Sequence, residues 1–285
     1  MLLIDKIRAE EKKLLDLPPE WEHTRYFLRV RMLLLEHLPV LCIQNVANYF
    51  FTDPKFDSWT SRDFPNVAPP FPRFWLEYTV PTNVSTKIGV LVTSTPSLID
   101  NRVAKWDLQA ELFDYDATEA PFLTGPLGTV HIDVNAEGLI DQLQYENLVD
   151  LPSEQAKTVI QFLFPALLAV SFLHCKNVEV VQNRVPKPLA KKWHARYNQW
   201  PSPYQTLVIE PLKQILKHEG HADTAGVKLA MHICRGHFKD YREGAGLFGK
   251  HHVLVWHPSI VRGTVRYDQD ECEPPRQMEI RRPKQ

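Results

Sequence analysis

Residues 229–241 read LAMHICRGHFKDY, and in an extended strand, where neighbours point to opposite sides, this segment separates into two unlike faces. Arg235, His237, Lys239 and Tyr241 fall on one side; His232, Cys234, Gly236, Phe238 and Asp240 fall on the other. Four polar functional groups at alternate positions make a poor core, so their face is expected to meet solvent or a ligand. The same four side-chain types suffice to bind and cleave a phosphodiester without metal. Imidazole moves the proton, while guanidinium and ammonium stabilise the charge that builds on phosphorus. They suit RNA binding alone equally well, and a strand with one solvated face would carry them too.

A second run, residues 250–257, is expected to pair with the first through the glycine-rich stretch 244–249. Its alternation sets Lys250, His252, Leu254 and Trp256 against His251, Val253, Val255 and His257. Lys250, His252 and Trp256, with His232 and Arg262, are the candidate nucleic-acid contacts. Trp256 could stack on a base or serve as a core aromatic; Arg262 and Gly263 are expected in a turn after Pro258, where Arg262 could clamp a phosphate or Gly263 could simply make the turn. The glycine stretch lacks Walker spacing and does not lead a strand into a helix, so no nucleotide cofactor is expected. No metal is expected either, because His232 and His237 lie on opposite strand faces and no CxxC or HExxH spacing occurs. A further cluster, His174, Cys175, Lys176 and Asn177, ends an apolar run. There His174 and Lys176 can satisfy terminal helix carbonyls and Asn177 can take a left-handed cap; alternatively the cluster lies beneath the basic surface and supports it.

Charge sets these residues apart from the rest of the chain. Residues 1–183 hold 15 Lys and Arg against 24 Asp and Glu; residues 184–285 hold 18 against 10, together with eight of the twelve histidines. A cationic region on an acidic protein suits an anionic partner, nucleic acid first, or docks on its own acidic part. Four cysteines without paired spacing in 285 residues point to reduced thiols. The chain opens apolar but turns charged over residues 5–13, unlike a secretory signal, and the longest apolar run, 158–173, is too short to span a bilayer. A cytoplasmic protein with no membrane partner is expected.

The elements that must position this segment read as α+β. Residues 4–17 and 24–38 show helical apolar spacing around Pro18-Pro19, which predicts an antiparallel helical pair. Residues 74–80, 88–93, 106–113 and 129–134 read as four strands of an antiparallel meander. Ser153 caps an apolar helix running to Phe172, expected at the centre of the molecule. Shorter strands follow at 178–181 and 204–209, separated by a basic stretch at 187–197. The division is then residues 1–150 (helical pair and meander), 151–267 (apolar helix and a β-rich, basic His/Arg-rich part) and a mobile tail, 268–285.

FPALLAVSFLHCKNVEVV (residues 164–181) together with HICRGHFKDY and GLFGKHHVLVWHPSIVRG (residues 232–263) resembles a phage- and plasmid-borne family that includes the type V-A anti-CRISPR proteins, which trigger loss of the effector nuclease's messenger RNA during translation. The shared parts are an apolar helix starting near a proline, a His-x-x-Arg-Gly-His segment (His232, Arg235, Gly236, His237) and a strand ending in Trp256 and Pro258. The resemblance implies a mobile-element accessory or counter-defence factor acting on RNA or on a ribosome-associated nascent chain. A second class of function stays open: a non-enzymatic module whose acidic meander captures a host protein.

Overall fold

The computed structural model describes residues 1–14, 35–53, 56–81, 86–100, 102–115, 128–146, 153–209, 232–234, 237–244, 246–247, 251–257 and 260–262. Period-two alternation sorts the faces of its main sheet. In β2 (Arg73–Thr79), Phe74, Leu76 and Tyr78 enter one apolar cluster and Trp75 enters another. In β3 (Lys87–Ile99), Ile88, Val90 and Val92 join the first and Leu91 the second. Gly89 makes room for Trp75, since a Cβ there would lie 2.1 Å from the indole ring.

Helices cover both faces. On the first face lie α2 (Gln44–Thr52), through Val46, Ala47 and Phe50, and α3 (Ser153–Leu173), through Leu163, Leu167, Leu168 and Phe172. On the second lies α1 (Leu3–Leu14), through Leu3, Ile4 and Ile7. The start of α1 is capped from the sheet. Glu77 accepts from the backbone N–H of Leu3 at 2.9 Å and of Ile4 at 3.3 Å, and from Trp75 Nε1 at 3.0 Å. Three donors hold a carboxyl whose burial pushes its pKa up. Asp5 accepts the Ser202 N–H at 2.9 Å, and Arg8 donates to Ser202 Oγ at 2.8 Å and to the Leu35 carbonyl, so α1 is tied to the segment that enters the sheet from the other end of the chain.

The sheet has eight strands in the order β6-β5-β4-β3-β2-β1-β8-β7, with β1 (Val40–Cys42), β4 (Arg102–Tyr115), β5 (Gly128–Asn135), β6 (Ile140–Glu146), β7 (Val178–Asn183) and β8 (Tyr204–Ile209). β2 to β6 form an antiparallel meander, but the sheet as a whole is mixed, because β1 runs parallel to both β2 and β8. The four strands expected as an antiparallel meander are β2 to β5 and pair that way; the parallel β1 was not expected, because three residues are too few to show a period and Val40–Cys42 is invisible to alternation. β7 and β8 follow residue 150 yet join the sheet begun by the N-terminal part. The basic stretch between them is a helix, α4 (Lys187–Tyr197). Of the expected helical pair, residues 24–34 lie outside the described residues, as does the tail 268–285. Among the described residues no helix is long and apolar enough to cross a membrane.

Candidate nucleic-acid interface

The described residues of the basic segment form two antiparallel ladders. β10 (His237–Asp240) pairs antiparallel with β11 (Leu254–His257), and β9 (His232–Cys234) with β12 (Ile260–Arg262). One register runs through both: His237 lies opposite His257, Cys234 opposite Ile260 and His232 opposite Arg262. Of the strand expected over residues 229–241, residues 232–234 and 237–240 are strand, while 229–231 and 235–236 lie outside the described residues. Arg235 and Lys250 fall outside the described residues. Toward the glycine-rich end the ladder continues, with Tyr241 N–H donating to the Val253 carbonyl at 2.9 Å and Leu247 N–H to that of His251 at 2.8 Å. Gly246 has φ +73° there, a left-handed conformation that favours glycine.

One face of β10–β11 is built into the core. Trp256 packs edge-on against Phe172 of α3 at 5.0 Å and Tyr49 of α2 at 5.4 Å, with Phe238 beside it at 4.6 Å. At 3% exposure its ring has no face for a base, so the stacking role considered for Trp256 is withdrawn in favour of packing. The cluster that ends α3 locks this arrangement. Asn177 Nδ2 donates to the Trp256 carbonyl at 2.9 Å and its Oδ1 accepts the Trp256 N–H at 3.1 Å, while Lys176 N–H donates to the Leu254 carbonyl at 3.1 Å. Asn177 does not take a left-handed cap; its amide is spent on β11. Nor does the His174 ring serve the helix carbonyls, since its Nε2 lies 2.8 Å from the carbonyl of Ala68. Cys175 is buried, and burial pushes its thiol up to about 12, which removes it as a nucleophile at neutral pH.

The opposite face carries the polar groups. His237 and Lys239 are exposed and Tyr241 is half-buried. His237 stacks on His257, ring centres 5.3 Å apart and planes 12° from parallel, and the Lys239 ammonium lies 5.8 Å from the centre of the Tyr241 ring. Val255, opposite Lys239, is buried, so this face is open along β10 and closed at the middle of β11. Beyond the strand, Arg242 is held by Asp240 through two carboxylate oxygens at 2.6–3.1 Å, which keeps the Asp240 carboxyl below its ordinary range. The exposed His252 ring sits 3.1 Å from the Arg242 carbonyl. The His257 Nε2 is buried, so the exposed His237 imidazole and Lys239 ammonium are the groups that can hold a phosphate, and the His237 ring is the one that can exchange a proton with a ribose oxygen. His257 was missing from the sequence-derived set because alternation assigns a face but not a partner; the hairpin register supplies the partner. Among the described residues no group of three or more His, Cys, Asp and Glu could hold a metal.

Burial lowers the His174 pKa, with the Arg242 cation adding to the effect and the Ala68 carbonyl opposing it. A histidine depressed in the folded state contributes stability above its unfolded pKa of about 6.5 and loses it as pH falls through the folded value. The melting temperature should therefore drop between pH 7.5 and pH 5.5, and His174→Gln, which can keep the bond to Ala68, should shrink that drop in parallel thermal melts. An equal drop in both proteins would exclude His174 as its source.

Compared with protein-family models, with curated proteins and with solved structures, the chain matches none.

Proposed function

We propose that the protein is a mobile-element accessory or counter-defence factor that acts on RNA or on translation, through the polar face of the β10–β11 ribbon. One observation carries the reading. His237 and Lys239 are exposed on one side of a hairpin whose other side is anchored by Trp256 and Phe238 on α3, with the half-buried His257 stacked against His237, so the two exposed groups are held in place and aimed outward. The likeness of this segment to the anti-CRISPR family adds the setting. Direct RNA binding is the activity proposed for these residues, with protein capture by the acidic meander as the competing outcome.

The test is a gel-shift titration of mixed bacterial messenger RNA across a salt series. Binding should weaken steeply with salt. The double variant His237→Ala/Lys239→Ala should melt like the unaltered protein yet bind about tenfold or more weakly, the loss of one or two charged phosphate contacts. Fragments that form in EDTA with the unaltered chain but not with His237→Ala would extend the reading to metal-independent cleavage. Salt-indifferent capture of a protein, unaffected by ribonuclease, would overturn it in favour of the meander.

A further inference from the structure

The helix between β7 and β8 has no buried residue. Lys187, Lys191, Lys192 and Arg196 of α4 are all exposed, whereas Ala190, Trp193, His194 and Tyr197 are half-buried. At 100° per residue these two sets occupy opposite halves of the helix, so the solvent half presents four cations and no acid. Among the described residues none of the four is held in an ion pair; Arg196 lies 5.1 Å from the centre of the Tyr197 ring. Just past the helix, after Asn198 in the left-handed conformation, Trp200 is 62% exposed and lies against His194 with ring centres 4.3 Å apart and planes tilted by 34°. A row of cations that ends in an exposed indole braced by a half-buried imidazole is an arrangement that can track a phosphate backbone while offering a ring face to an unstacked base.

We infer that α4 and the His194–Trp200 pair form a second surface, one that binds single-stranded RNA without sequence preference. An anionic membrane fits less well. Trp193 and Tyr197 lie against each other with ring centres 4.1 Å apart on the half-buried side, which leaves Leu189 and Trp200 as the large exposed apolar groups of residues 187–200 to enter lipid. The inference takes its class of partner from the hairpin proposal but rests on different residues, so the two can fail separately.

The full chain is titrated against a fluorescein-labelled oligouridine of about twelve nucleotides, within the usual span of single-strand sites. Trp200→Ala should weaken binding about tenfold, the loss of one stacked base, and Trp200→Phe should restore most of it. Lys191→Gln/Lys192→Gln should reduce the slope of log affinity on log salt by about 1.4, two phosphates at roughly 0.7 each. All these positions are exposed, so melting temperatures should not change. Weakening by Trp200→Ala with none by His237→Ala would establish α4 and count against the hairpin. The reverse would overturn α4 and leave the hairpin standing. Unchanged affinity in Trp200→Ala, tighter binding to a blunt RNA duplex, or binding to phosphatidylserine vesicles but not to oligouridine would each overturn the inference.

Discussion

Leu167→Asp should leave the chain insoluble or without a cooperative melt. Leu167 is 4% exposed and lies in α3 against the sheet, where with Leu76, Leu108, Ala110 and Val170 it lines a small void bounded by apolar side chains. A carboxylate there has no donor among those neighbours and no route to bulk water. Its burial costs more than about 5 kcal/mol, comparable with the whole stability of a domain. Leu167→Ala separates chemistry from packing: it should stay soluble and melt cooperatively while losing about 2–5 kcal/mol, the usual cost of a large-to-small change in a core. A soluble Leu167→Asp protein with an unchanged melting temperature would show that this side of α3 does not face the sheet.

Asn177→Ala should detach the ribbon without unfolding the sheet. One amide satisfies both the N–H and the carbonyl of Trp256, which are buried with it, and deletion strands both at about 1–3 kcal/mol each. Attachments that stay include the aromatic contacts of Trp256 and Phe238, the bridge of Cys175 to Leu254 and the bond from Lys176 N–H to the Leu254 carbonyl. Limited proteolysis should therefore cut within residues 237–257 of the variant while the segment from β2 to β6 stays protected, and tryptophan emission should shift to the red as Trp256 meets water. RNA affinity should fall with it, because His237 and Lys239 would no longer be held in one orientation. Asn177→Asp keeps the acceptor but loses the donor, and should lie between the two. Proteolysis identical to that of the unaltered chain would mean that aromatic packing alone holds the ribbon.

These predictions rest on features of unequal legibility. The strands at 74–80, 88–93, 106–113 and 129–134 are readable because each is long enough to alternate, and all four are strands of the meander. β6 escaped notice because Ile140–Glu146 is mostly polar and lies at the sheet edge. α2 escaped because the nine residues of Gln44–Thr52 span too few turns to display a sustained helical period.

Local chemistry alone determined the α+β class, the helical run that follows Ser153, and the separation of His237 and Lys239 from Phe238, because period and charge are written in neighbouring residues. Tertiary structure alone decided the rest. It inserted β1 parallel between β2 and β8, put Glu77 at the start of α1, turned Trp256 inward and set His257 beside His237. Each of these joins residues from separate elements, 20 or more positions apart, and is settled by which buried donors and rings find partners. The same holds for Asn177, whose place after an apolar helix suggested a cap. Its amide instead serves a strand 79 residues away, because an unmet N–H and carbonyl at Trp256 cost more in a dry core than an uncapped helix end does near water.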